Sequence, residues 1–103
     1  LVEDSIVMHD ARILPGACLS RAIIDKGVRI GERAVVGTGE IVPNREFPRD
    51  LASGLCVIGK GSEIPAGGSV GRNTLVEIGV REVDLASGAV PSGVVVRAKG
   101  AVR

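Results

Sequence analysis

Aliphatic residues recur along this chain at a spacing that fits neither a helix nor an isolated strand. Val2, Val7, Ile13, Leu19, Ile24, Ile30 and Val36 are separated by 5, 6, 6, 5, 6 and 6 positions. An amphipathic helix would repeat at three and four, and a plain strand would alternate by two without resetting. Two positions before most of these residues stands a small side chain: Ser5, Ala11, Ala17, Ala22 and Ala34, with Val28 the bulkier exception. The spacing resumes at Ile58, Ile64 and Val70, preceded by Cys56, Ser62 and Gly68, and at Val76, preceded by Thr74. Residues 2–18 align without a gap on residues 19–35, so the underlying period is 17. The pattern predicts a triangular coil with three short strands and three corners. The aliphatic side chain points inward at mid-strand, and the small one points inward near the tapering corner. Stacked coils then pair their strands in parallel about 4.8 Å apart, with ladders of aliphatic residues running up each inner face.

This pattern matches the hexapeptide signature of left-handed parallel β-helices. The handedness comes from that resemblance, since the usual rule for parallel crossovers favours the other hand. The expected fold is all-β: a single-stranded left-handed parallel β-helix, or hexapeptide-repeat solenoid, of about five coils with one protruding loop, forming one domain over residues 1–103. The loop is placed at about 42–54, VPNREFPRDLASG, where two prolines, a charge cluster and Phe47 interrupt the repeat. Phe47 is expected to pin the loop back onto the coil. Residues 80–89 form a weaker break, after which Val90, Val96 and Val102 recover the period of six.

Composition narrows the function classes. Hydrophobic residues make up 45% of the 103, yet Phe47 is the only aromatic one, so Val, Ile, Leu and Ala must fill a narrow interior. The 15 glycines suit many tight corners. Net charge is +1 with acidic and basic residues interspersed, which argues against a nucleic-acid partner. No apolar run approaches the ~18 residues of a membrane span, and no secretory leader is recognisable, so a cytoplasmic protein is expected. Cys18 and Cys56 lack metal-site or redox spacing and read as reduced filler. The chain opens inside a repeat, and a bare terminal coil exposes apolar surface and strand edges. A preceding domain is therefore expected to cover that end.

Candidate chemistry is sparse. His9 is the only histidine; hexapeptide acyltransferases use one as a general base, whereas a β-helix carbonic anhydrase needs three for its metal. Residues 54–61, GLCVIGKG, nearly spell a phosphate-binding loop, but the closing Ser/Thr is missing and Ile58 falls on the core ladder. Lys26 and Lys60 each stand two positions after an inward aliphatic residue, Ile24 and Ile58, where the chain turns its corner and the ammonium groups project outward. With Arg12, Arg29, Arg45, Arg49 and Arg72 they would make a basic rim able to hold a phosphorylated metabolite, or simply a solvated edge that discourages aggregation. No catalytic residue and no metal ligand set is assigned.

Longer segments carry a family resemblance. Residues 21–32, RAIIDKGVRIGE, closely resemble the C-terminal β-helix of glucose-1-phosphate adenylyltransferases, and residues 53–67, SGLCVIGKGSEIPAG, look like a second segment of that family. Pro43-Asn44-Arg45-Glu46 resembles the linker between them. The resemblance implies a regulatory and oligomerisation domain cut from an enzyme that makes ADP-glucose from ATP and glucose 1-phosphate for glycogen synthesis. The active site, with its ATP and Mg, would lie in an N-terminal nucleotidyltransferase domain absent from this chain, which needs no cofactor of its own. The family also implies a homotetramer, contact with the catalytic domain, and a phosphorylated-sugar effector held by basic residues at the positions of Lys26 and Lys60. The chain runs some 36 residues past the Ile-Pro-x-Gly corner, where many members end. That extension leaves room for a related sugar nucleotidyltransferase of the GDP-mannose or dTDP-glucose type. A hexapeptide acyltransferase using His9 is the other alternative.

Overall fold

The computed structural model describes residues 1–85 and 88–98. The chain winds into a triangular parallel β-helix whose three faces are parallel sheets. The first face stacks β1 (Val2–Glu3), β4 (Cys18–Ser20), β7 (Val35–Thr38), β10 (Ser69–Gly71) and β12 (Ala89–Val90). The second stacks β2 (Ile6–Val7), β5 (Ala22–Ile24), β8 (Cys56–Ile58), β11 (Leu75–Val76) and β13 (Val95–Val96). The third stacks β3 (Arg12–Ile13), β6 (Arg29–Ile30) and β9 (Glu63–Ile64), and the Glu63 amide continues it by donating to Val80 O at 2.8 Å. Five rungs on two faces agree with the coil count expected from the repeat.

Register follows the periodicity. Val2, Leu19, Val36, Val70 and Val90 align up the first face. Val7, Ile24, Ile58, Val76 and Val96 align up the second, and Ile13, Ile30 and Ile64 up the third. Leu19, Ile24, Ile30, Val36, Ile58, Ile64, Val70 and Val76 are at most 1% exposed. Each such side chain contributes about 1.5–3 kcal/mol relative to full exposure. The small residues two positions earlier are buried too, including Ala17, Ala22, Ala34, Cys56, Ser62 and Thr74. The ladders lose their cover at the first coil, where Leu1, Val2, Ile6 and Val7 are exposed.

The loop is longer than the sequence pattern suggests. β7 ends at Thr38 and β8 begins at Cys56, so residues 39–55 leave the coil at the corner joining the first and second faces. Phe47 does not pin it: the ring is 40% exposed. Asn44 and Leu51 are buried instead. Asn44 Nδ2 donates to Asn73 O at 2.8 Å and to Val94 O at 3.2 Å, so a polar side chain lashes the loop to the fourth and fifth coils. An amide does this better than a ring because the corner presents carbonyls that need donors.

The weaker break at 80–89 contains a short 3-10 turn, Glu82–Asp84, and lengthens its coil, so that Val70 pairs with Val90, 20 positions on. Val102 lies outside the described residues. Among the described residues no helix is long and apolar enough to cross a membrane.

Candidate functional site

The corner joining the second and third faces carries the candidate site. β5 pairs with β8 in the register Ala22 with Cys56 and Ile24 with Ile58, which brings the corners two residues later into line. Backbone bonds continue that alignment around the turn. Gly27 N donates to His9 O at 3.4 Å, Gly61 N to Lys26 O at 3.0 Å, and Gly79 N to Lys60 O at 3.0 Å. His9, Lys26, Lys60 and Ile78 therefore form one vertical column, a single side chain per coil. Parallel strands repeat about every 4.8 Å, so the two lysines rise from the corner as close neighbours.

Both lysines are exposed, as is His9. Among the described residues neither ammonium takes part in a salt bridge. The nearest acid along the chain, Asp25, is occupied locally: its Oδ1 accepts the Lys26 amide at 2.7 Å. Two adjacent cations without a carboxylate partner repel each other and attract an anion, and their mobile stems suit a phosphate approached as a point charge. Ile78 is 70% exposed and closes the column with an apolar side chain.

The other basic residues do not join this rim as expected. Arg12 and Arg29 pair on the third face, and Arg29 Nη1 lies 3.8 Å from Glu82 Oε1. Arg45 and Arg49 belong to the loop, and the Arg45 amide donates to Gly93 O at 2.8 Å. Arg72 sits at the corner where the loop leaves. The turns that aim these side chains differ, so the basic residues divide among separate surfaces.

His9 has no acid or carbonyl hydrogen-bonded to its ring among the described residues, so nothing there orients it as a general base. The segment 54–61 is strand and corner, and its amides are already used. Cys56 N donates to Arg21 O, Val57 N to Thr74 O, Gly59 N to Val76 O and Gly61 N to Lys26 O, all at 2.7–3.0 Å. A phosphate loop must present free amides at a helix start. Ser62, which follows, is buried with its hydroxyl donating to Glu77 O at 2.7 Å and accepting from Val80 N at 3.1 Å. Among the described residues no three His, Cys, Asp or Glu side chains gather in a group able to hold a metal ion.

The numbering carries the column only once the loop is subtracted. Lys26 follows His9 by 17 residues, one coil, and Lys60 follows Lys26 by 34. The 34 hides a single step, because the 17 residues of 39–55 leave the coil and return to it.

A model of the GlmU-like, C-terminal hexapeptide family matches residues 1–58. That family and the parallel rungs together identify the left-handed parallel β-helix. Curated relatives include the glucose-1-phosphate adenylyltransferase of Thermomicrobium roseum, 44% identical over 92 residues, which is 88% of this chain and 22% of that protein. The enzyme of the same name from Acetivibrio thermocellus is 33% identical over 76 residues, 74% of this chain and 18% of that protein. The one from Novosphingobium aromaticivorans is 43% identical over 58 residues, 56% of this chain and 14% of that protein. The chain thus spans about a fifth of the length of the first two. No solved structure matches the chain at comparable significance.

Proposed function

The chain belongs to the GlmU-like, C-terminal hexapeptide family, and from that premise we propose that it is the regulatory and oligomerisation β-helix of a glucose-1-phosphate adenylyltransferase-like enzyme. The complete enzyme would transfer an adenylyl group from ATP to glucose 1-phosphate, with Mg, giving ADP-glucose for glycogen synthesis in the cytoplasm. Those steps belong to a separate catalytic domain.

The observation that carries the reading is the column of Lys26 over Lys60, two exposed cations one coil apart with no salt-bridge partner among the described residues. A phosphorylated sugar fits them by charge. The exposed aliphatic side chains of the first coil supply a surface for the catalytic domain or for a neighbouring subunit of a tetramer. Effector bound at the column would reach the catalytic domain through the rigid stack of coils between them.

The test is the complete enzyme carrying Lys26→Ala and Lys60→Ala together. Basal ADP-glucose synthesis should persist, while the concentration of phosphorylated hexose needed for half-maximal response rises roughly tenfold or more, as expected for loss of charge-assisted hydrogen bonds. An unchanged response overturns the regulatory reading. ADP-glucose formation by residues 1–103 alone would overturn the assignment of catalysis to another domain.

A further inference from the structure

The geometry points to a second anion site on this chain, at the corner where the loop returns, in which Arg21 and Arg72 together hold a phosphate group over Gly54. Arg21 belongs to the corner of the second coil and Arg72 to that of the fourth. Gly54 lies between them, on the return of the loop to β8. A methyl group placed on Gly54 would stand 3.8 Å from Arg72 Cδ, 3.9 Å from Arg21 Nε and 3.8 Å from Ile41 Cδ1. The two guanidinium-bearing side chains therefore come near one spot, with the apolar side chain of Ile41 beside it.

Three observations indicate that this spot binds an anion. Arg72 Nε is shielded from solvent and has no hydrogen-bond partner among the described residues, a costly condition for a charged donor. Among the described residues neither guanidinium enters a salt bridge, although the loop carries Glu40, Glu46 and Asp50; Glu46 is engaged by Arg97. The backbone around the spot is spent elsewhere: Gly54 N donates to Asn73 Oδ1 at 2.7 Å, and Arg72 N donates to Ser92 Oγ at 3.0 Å. Arg72 Nε is left as a shielded donor without an acceptor, beside the exposed guanidinium of Arg21. Two converging guanidinium groups carry two positive charges and present forks of N–H donors. A phosphate near neutral pH supplies up to two negative charges and oxygens enough for both forks, whereas a carboxylate neutralises only one.

Such a ligand would tie the second coil to the fourth across the coil that releases the loop. The site is separate from the Lys26 and Lys60 column, which occupies a different corner, so either can fail without the other.

Inorganic phosphate, titrated into the chain at constant ionic strength set with chloride, tests this. In the Lys26→Ala, Lys60→Ala background one saturable phosphate site should remain, and phosphate should shift the Arg72 Nε–H resonance. Adding Arg21→Gln, which alters an exposed side chain and keeps the corner backbone, should weaken that site roughly tenfold or more. Loss of all saturable binding in the lysine variant, binding that survives Arg21→Gln unchanged, or an unmoved Arg72 Nε–H signal would each overturn the assignment.

Discussion

Asn44 and Asn73, 29 residues apart, hold each other's surroundings in place. Asn44 Nδ2 donates to the Asn73 carbonyl at 2.8 Å. The Asn73 side chain in turn accepts from Gly54 N and donates to Val42 O, both at 2.7 Å, so it clamps the two ends of the segment that Asn44 anchors near its start. Asn44 Oδ1 also accepts from Glu46 N at 2.9 Å and Phe47 N at 3.1 Å, which shapes the loop locally. Asn73 takes a left-handed backbone conformation, φ 57°, that asparagine tolerates better than most residues. The loop is thereby fixed to the solenoid by two buried amides.

Asn44→Ala removes the four hydrogen bonds of the Asn44 side chain and leaves the Asn73 and Val94 carbonyls without that donor. It should destabilise the chain by about 2–4 kcal/mol, against less than about 1 kcal/mol for Phe47→Ala, whose side chain is 40% exposed. Urea denaturation of the two variants measures the contrast. A greater loss at Phe47 than at Asn44 would show that the ring carries the anchoring.

The contrast between these residues shows where sequence reading succeeds. The ladders Leu19–Val36–Val70 and Ile24–Ile58–Val76 announce themselves because a solenoid repeats one packing slot, and each slot admits one class of side chain. Asn44 has no such signal. It is a polar residue between a proline and an arginine, and its burial depends on carbonyls at Asn73 and Val94 that are remote in sequence. Phe47 misled for the complementary reason: hydrophobicity indicates a tendency to be buried, not a place to be buried in. The two lysines were legible as corner residues facing outward. Their adjacency was not, because the loop doubles the apparent period between them. The sequence pattern groups Arg72 with the lysine rim and does not single out Arg21; both come near Gly54 only through the path that the loop takes home.

Gly37 offers a sharper test of coil stacking. Its φ is +92°, and a Cβ there would lie within van der Waals exclusion of Ser20 O, part of the neighbouring rung. The contact is with backbone, so no side-chain rotation relieves it. Gly37→Ala should cost more than about 2 kcal/mol, with the coils forced apart between β4 and β7. Gly61→Ala, also at positive φ but in open space, should cost less. Thermal unfolding of both separates steric exclusion from backbone strain; equal losses would mean that the rungs do not approach this closely.

The two cysteines should differ in reactivity. Cys56 is buried, and its thiol donates to Gly71 O at 2.9 Å. Burial raises its pKa above the usual thiol value, outweighing the opposing contributions of Thr74 and Arg72. Cys18 is half-buried, with one side toward solvent. A thiol-specific reagent applied at neutral pH should label Cys18 in the folded chain and Cys56 only after denaturation. Equal labelling rates in the native state would contradict the closed core on the second face.

Acid should loosen the loop through Glu46. Its carboxylate receives Arg97 Nη1 at 2.8 Å and Nη2 at 2.5 Å, and Arg97 Nε also lies 3.4 Å from Glu77 Oε2. The hydrogen bonds from Arg97 hold the Glu46 pKa below its ordinary value. A depressed carboxylate pKa means that, in the acid window between the folded and unfolded values, the unfolded chain binds more protons than the folded one. The pair's contribution is therefore fully present above the unfolded value and disappears as pH falls through the folded one. The pair is solvent-exposed, so its contribution to stability is small and salt-sensitive. The direct readout is the titration of the Glu46 side-chain carbon by NMR. Its midpoint should lie below that of an unpaired glutamate and rise toward it in Arg97→Gln, with a similar rise at high salt. A midpoint unchanged by the substitution would mean that Arg97 does not hold Glu46 in solution, leaving the amides of Asn44 and Asn73 to retain the loop unaided.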